Sequence, residues 1–133
     1  MNTADTIRAY YEAFNGQDMD AFLALLTDDV VHDINQGERQ EGKAAFAKFM
    51  AHMNRCYRER LSDVVIMASE DGKRASAEFI VNGEYLVTDE GLPEAKGQKY
   101  RLPAGAFFDV RDGKVARVTN YYNLSDWIAQ VDG

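Results

Sequence analysis

The stretch FFDVRDGKVARVTNYYN, residues 107–123, contains the pattern that decides the fold. Runs rich in aromatic and β-branched residues lie on both sides of Asp112-Gly113, and a glycine there accepts the positive φ that a tight hairpin turn needs. The pattern therefore predicts two antiparallel strands, Gln98–Val110 and Lys114–Asn123, joined by a short turn.

The same pattern occurs upstream. Asp71-Gly72 lies between two further β-rich runs, Leu61–Ser69 and Lys73–Val87. The polar segment Thr88–Gly97 is longer, and we predict a hairpin loop there that partly covers the mouth of a cavity. The second half of the chain is thus predicted to be a four-stranded antiparallel meander.

The first half has mainly helical periodicity. Apolar residues recur at spacings of three and four from Thr3 to Asn15, which is typical of one face of an amphipathic helix. Asp18 is placed to cap a second, short helix. Val30–Ile34 is a short β-branched stretch that predicts a strand, and a polar turn follows it. Lys43–Tyr57 again has an apolar face and predicts a third helix.

Helices followed by an antiparallel meander predict an α+β fold, in which three N-terminal helices pack on one face of a curved antiparallel sheet. Ser125 is expected to cap a final helical turn. No repeat, linker or low-complexity segment divides residues 1–133, so we expect a single domain.

Charge and composition exclude several classes of partner. The 133 residues carry a formal net charge of −7, and the sequence pI is about 4.8, which argues against nucleic acid. Arg55, Arg58 and Arg60 form one basic cluster, interpreted as cations near the end of the third helix. Cys56 is the only cysteine, which favours a reducing compartment. No apolar run approaches the roughly 20 residues that cross a bilayer, so the expectation is a cytoplasmic protein without a membrane partner.

The sequence contains no recognisable metal-binding or nucleotide-binding motif. His32 and His52 do not have the spacing of paired ligands, and there is no second cysteine. Neither a GxGxxG pattern nor a P-loop pattern occurs. We therefore expect neither a metal nor a cofactor.

Two parts of the chain resemble a known superfamily. YYEAFNGQDMD at residues 10–20 and LLTDDV at 25–30 are similar to the opening of ketosteroid isomerases and SnoaL-like polyketide cyclases. The closing stretch at 107–115, with YYNL at 121–124 and QV at 130–131, resembles the SnoaL-like tail. These proteins belong to the NTF2-like superfamily. The resemblance implies a cone fold around a cavity for a small hydrophobic or carbonyl-bearing molecule, a homodimer, and isomerase, lyase or cyclase chemistry without a cofactor.

The resemblance also assigns roles to individual positions. It places Tyr10 at the tyrosine that donates a hydrogen bond to the substrate oxygen. The base of the isomerases falls on Ile34, or on Asp33 if the strand is one residue shorter. Their second acid falls on Gly105 or Ala106, and the catalytic aspartate of the cyclases falls on Asn123. These departures motivate an alternative, a non-catalytic ligand-binding or dimerisation module.

His32 and Asp33 are the candidate bases on the first strand. Adjacent strand residues face opposite sides, so two arrangements are open. Either His32 faces the cavity together with Val30 and Ile34, or Asp33 does so together with Val31 and Asn35. Tyr10 is the predicted hydrogen-bond donor. The further predicted ligand-binding residues are polar or aromatic and fall on predicted cavity elements: Asn35, Tyr57, Tyr85, Arg101, Asn120, Tyr122, Asn123 and Trp127.

Overall fold

The structure is a computed structural model that describes residues 1–132. Its helices and strands follow the order α1 (Thr3–Asn15), α2 (Met19–Ala24), β1 (Leu26–Asp33), β2 (Arg39–Glu41), α3 (Lys43–Cys56), β3 (Tyr57–Ala68), β4 (Arg74–Tyr85), β5 (Lys99–Arg111), β6 (Lys114–Tyr122) and α4 (Leu124–Val131).

The six strands form one curved, unclosed sheet in the order β2-β1-β6-β5-β4-β3. The predicted α+β class is confirmed, and so is the antiparallel meander from β3 to β6. The sheet is nevertheless mixed, because β1 pairs with β6 in parallel. The short strand β2, which lies within the predicted polar turn, pairs with β1 at the sheet edge.

Helix starts follow local capping chemistry. Asn2 and Asp5 form a capping box at the start of α1, and the Asp18 carboxylate accepts the Ala21 N–H as predicted for α2. The prediction that Ser125 caps the last helix is wrong. The Asn123 side chain accepts the Asp126 N–H at 3.1 Å, so α4 begins two residues earlier.

Strand β3 begins at Tyr57, four residues before the predicted start, directly after α3 ends. Arg58 and Arg60 therefore point outward from a strand, and only Arg55 lies in the last turn of α3, which corrects the interpretation of all three as helix-end cations. The sequence did not predict a strand at residues 57–60 because Glu59, the inward-facing residue between the two arginines, is charged.

Three register shifts curve the sheet towards the helices. They lie between Leu26 and Val31 of β1, between Ser62 and Val65 of β3, and at the β5–β6 pairing. The Asn15 side chain then ties the end of α1 to β3, donating to the Leu61 carbonyl at 3.0 Å and accepting the Leu61 N–H at 2.8 Å. The helices are held across the concave face and leave space beneath them. Within residues 1–132, no helix has the length and apolarity needed to cross a bilayer.

Candidate functional site

A cavity of about 250 Å³ lies between α1, α3 and the concave face of the sheet. This is slightly below the ~300–1,000 Å³ of sites for drug-sized ligands, so it fits a small molecule. Most of its lining is aromatic or aliphatic, and no lysine or arginine among the described residues takes part. The polar side chains that line it include His32, Asn54, Glu59, Asp89 and Asn120.

His32 faces the cavity, so the first of the two open arrangements is correct. It is 1% exposed, and its ring stacks on Phe46 at a centroid distance of 4.2 Å and meets Phe49 edge-on at 4.6 Å. Nε2 lies 3.4 Å from the Asn120 amide nitrogen, whereas Nδ1 is buried with no partner among residues 1–132.

The burial of His32 decides its charge. Desolvation lowers its pKa from 6.5 to about 4, although the neighbouring Asp33 carboxylate acts in the opposite direction. The imidazole is therefore neutral at neutral pH. It can donate or accept a hydrogen bond inside the cavity, but it is a weak base.

Asp33 lies on the outer face of the sheet, so the arrangement in which it faces the cavity is wrong. Arg39 donates two hydrogen bonds to its carboxylate, at 2.6 and 3.1 Å, and the Thr119 hydroxyl donates a third at 2.6 Å. The hydrogen bond from Arg39 is the main reason that its pKa falls to about 2. Asp33 is thus an ionised member of a surface network and does not reach the cavity.

Tyr10 lines the cavity as predicted. Its ring packs against Phe22 at 4.6 Å and against Phe108 at 5.4 Å, and the residue is buried. Burial raises the pKa of its hydroxyl, so the group keeps its proton. Its environment differs from water through burial alone, with no hydrogen bond to the hydroxyl among the described residues, so the group is free to donate to a ligand.

Glu59 is one of the cavity residues that the sequence prediction missed. It lies directly across the sheet from Gly83 of β4, and Gly83 lies across from Tyr100 of β5. The Tyr100 ring passes over Gly83, and its hydroxyl donates a short hydrogen bond to the Glu59 carboxylate. A Cβ on Gly83 would lie 2.3 Å from the Tyr100 ring, so only glycine allows this contact.

Desolvation raises the pKa of Glu59, and the hydrogen bond from Tyr100 only partly opposes the rise. The carboxyl group consequently holds a proton more strongly than an exposed glutamate does. A group of this kind can both take up and return a proton.

The loop after β4 supplies one end of the cavity. Asp89 and Leu92 line the cavity, and the Asp89 carboxylate accepts hydrogen bonds from the Tyr57 hydroxyl at 2.7 Å. His52 Nε2 lies 2.9 Å from the other oxygen of Asp89. Tyr85 holds the loop from behind, because its hydroxyl accepts the Asp89 N–H and donates to the Pro93 carbonyl.

The predicted ligand-binding residues divide into two groups. Asn35, Tyr57, Asn120 and Tyr122 line the cavity. The other four do not, which corrects those predictions: Tyr85 fixes the loop, Asn123 caps α4, Arg101 is exposed on the outer face, and Trp127 packs behind the wall against Tyr57, Tyr85 and Tyr100.

Some missed residues had a signal in the sequence and others had none. Glu59 alternates with Tyr57 and Leu61, which is a strand pattern with a charge on its inward face. Asp89 lies in a loop, and only the tertiary fold brings it to α3. Asn54 is next to Met53, a residue of the apolar face of α3, and no periodicity in the sequence predicts that its side chain lines the cavity.

Comparison with known proteins adds a family to this geometry. The model of a family described as a SnoaL-like domain matches residues 7–118. No curated protein sequence shows significant similarity to the chain.

Several solved structures, in contrast, are highly similar to this chain in both sequence and fold. A protein of Pseudomonas putida KT2440, provisionally named a polyketide cyclase, is 66% identical over 98% of each chain, with a TM-score of 0.98. A protein of Xanthomonas campestris pv. campestris with the same provisional name is 59% identical, with 98% of this chain and 96% of that chain covered and a TM-score of 0.95. A third, from Silicibacter sp. TM1040, is 57% identical, with coverages of 99% and 96% and a TM-score of 0.97.

Proposed function

The chain belongs to the SnoaL-like domain family, and from that premise we propose that it binds a small, largely apolar, carbonyl-bearing molecule and catalyses proton transfer next to the carbonyl without a cofactor. The family and the provisionally named polyketide cyclases support a cyclase-type, isomerase-type or ligand-binding role. The finer assignment rests on the groups that line the cavity.

The charges of the lining restrict the ligand. Glu59 and Asp89 are acidic, and no lysine or arginine among the described residues offsets them. A ligand carboxylate would meet like charge in a poorly solvated space, which is unfavourable. Aromatic walls suit a flat or cyclic apolar body. The expected ligand is therefore neutral or cationic and cyclic.

The observation that carries the catalytic proposal is the Glu59 carboxyl group, held by Tyr100 at the wall of a mainly apolar cavity. Desolvation raises its pKa and so strengthens it as a proton acceptor relative to an exposed glutamate, whereas burial lowers the pKa of His32 to about 4 and weakens that imidazole as a base. Glu59 thus replaces His32 and Asp33 as the proposed base.

The proposed reaction is a proton transfer between the Glu59 carboxylate and the ligand. Glu59 takes a proton from the carbon next to the carbonyl, the electron pair of that C–H bond forms a C=C bond to the carbonyl carbon, and the π pair of the carbonyl moves to its oxygen. Tyr10 and the neutral His32 are the hydrogen-bond donors for this developing oxyanion. Glu59 then returns the proton to the same carbon or to another carbon of the conjugated system. In a cyclisation, the enolate carbon would instead attack a second carbonyl carbon of the same ligand, the π electrons of that carbonyl would move to its oxygen, and Glu59 would return the proton to the resulting alkoxide.

Hydrogen–deuterium exchange tests the step without knowledge of the natural substrate. We would incubate the protein with 2-tetralone, a neutral bicyclic ketone, in D2O and follow the loss of the α-proton signals by NMR. Exchange should exceed the buffer rate, and Glu59→Gln should lower the catalysed rate by about 10²-fold or more, as is typical for loss of a general base. Asp33→Asn, on the outer face, is the matched carboxyl control and should retain the rate. Equal rates in Glu59→Gln and the wild type would refute the role of Glu59.

The alternative is a non-catalytic ligand-binding module. It is favoured by the absence of a carboxyl group at the family positions occupied by Ile34, Gly105 or Ala106, and Asn123. In that case the ketone signals would broaden on binding, but the α-protons would exchange no faster than in buffer.

A further inference from the structure

Three side chains of different chemistry converge at the edge of the cavity, and we propose that His52, Cys56 and Asp89 form a binding site for Zn²⁺. Their ligand atoms all lie within 4.8 Å of one another. His52 and Cys56 are one helical turn apart on α3, and Asp89 approaches from the loop after β4. The proposal is independent of the proton-transfer step.

The separations between the ligand atoms are close to those around a tetrahedral ion. His52 Nε2 lies 2.9 Å from Asp89 Oδ1 and 3.9 Å from Cys56 Sγ. Zinc bonds of about 2.0–2.3 Å, arranged tetrahedrally, place neighbouring ligand atoms roughly 3.3–3.7 Å apart. These two distances lie on either side of that range, and the third pair, Cys56 Sγ and the Asp89 carboxylate, lies within 4.8 Å. Binding of the ion therefore requires side-chain adjustments of up to about 1 Å.

The fold holds these ligands in position before any ion binds. The Tyr57 hydroxyl donates to Asp89 Oδ2 at 2.7 Å, which leaves Oδ1 directed at His52. The Cys56 carbonyl accepts the Leu86 N–H at 2.8 Å, and this contact fastens the start of the loop to the end of α3. Hydrogen bonds to ligating carboxylates of this kind are typical of outer-shell support at metal sites.

The donor set selects the class of ion. A thiolate and an imidazole suit Zn²⁺ and other borderline transition metals, whereas Mg²⁺ and Ca²⁺ prefer oxygen ligands. An ion pair between His52 and Asp89 would explain two of the three groups. It does not explain why the single cysteine of the chain lies beside them with its side chain buried. Three protein ligands would leave a fourth position for water or a ligand atom.

Cobalt serves as the spectroscopic probe. The chelator-treated full-length protein would be titrated with Co²⁺, and one equivalent should give a near-ultraviolet thiolate-to-cobalt band together with the visible bands of a four-coordinate ion. Addition of Zn²⁺ should remove both sets of bands. Absence of the thiolate band at saturating Co²⁺ would overturn the proposal.

Variants then assign the ligands. Cys56→Ala should lose the thiolate band, and His52→Asn and Asp89→Asn should each weaken Zn²⁺ binding by roughly 100-fold, at least as much as loss of an outer-shell partner does. His32→Phe removes the other imidazole of the chain and should bind Zn²⁺ as the wild type does. Circular dichroism would establish that each variant is folded. Unchanged Zn²⁺ affinity in folded His52→Asn and Asp89→Asn would overturn the site, whatever the outcome of the deuterium-exchange assay.

Discussion

Acidification should destabilise the protein through His32. The pKa of its imidazole is about 4 in the folded protein and 6.5 without the surrounding structure. Because the folded value is the lower one, the unfolded chain binds the proton more tightly. The stabilisation by a neutral His32 is therefore complete above about pH 6.5 and is lost as the pH falls towards 4.

The size of the effect follows from the two pKa values. Linkage gives a loss of about 2 kcal/mol in the free energy of unfolding between about pH 7 and about pH 5, and about 3 kcal/mol once the pH is below 4. Such a loss is a substantial part of the stability of a small domain, which is typically ~5–15 kcal/mol. Urea unfolding at the two pH values measures it directly.

The matched variant is His32→Phe, which keeps a ring against Phe46 but does not titrate. Any change that the substitution itself makes in the free energy of unfolding is the same at both pH values. It cancels when the stability of each protein at one pH is subtracted from its stability at the other. Glu59 acts in the opposite direction, because a raised folded pKa contributes stability that is lost as the pH rises, but it is common to both proteins. His52→Gln retains His32 and should retain the loss. If the wild type and His32→Phe lose the same free energy of unfolding between the two pH values, the prediction that His32 is buried as a neutral imidazole is wrong.

Two further predictions concern the sheet. Gly83→Ala should displace the Tyr100 ring from Glu59, because the new Cβ would lie 2.3 Å from that ring, and should cost about 1–3 kcal/mol in urea unfolding; unchanged stability would show that the ring can move freely. We also expect a homodimer of about 30 kDa, twice the 15.0 kDa chain, formed through the outer face where Phe107 is 48% exposed and Tyr121 is 56% exposed. Light scattering should find the dimer and should find Phe107→Glu at half that mass, whereas a wild-type mass near 15 kDa would contradict the prediction.

The meander was predictable because its determinants are local. The turn at Asp112-Gly113 joins β5 and β6, and the buried residues Phe108 before it and Val115 and Val118 after it give the flanking runs their strand character. The parallel pairing of β1 with β6 has no such local signal. Some 80 residues separate the two strands, and only the closure of the whole sheet brings them together. The short, polar strand β2 also has no periodic pattern in the sequence. It is a strand because it pairs with β1, and that pairing is a tertiary contact.

The cavity was predictable in part. Alternation along β1 reduced the orientation of His32 to two arrangements, but it could not choose between them, because Val30 and Val31 are equally apolar. The choice follows from α3, which supplies Phe46 and Phe49 to the inward face, and from Arg39, which offers a partner to Asp33 on the outward face. Both partners are set by tertiary structure.

Glu59 shows why a family resemblance is an incomplete guide to the chemistry of this cavity. The resemblance directs attention to β5 and to the residues directly after β1 and β6, where the family positions hold Gly105 or Ala106, Ile34 and Asn123. The carboxyl group that we propose as the base lies instead on β3, and its placement depends on two residues that carry no charge. Tyr100 reaches it only because Gly83, on the strand between them, leaves room for the ring. Since a side chain on Gly83 would break the contact without touching Glu59 itself, the three residues act as one unit. If Glu59 moves the proton, then Gly83→Ala should lower the rate of 2-tetralone exchange as well as the stability.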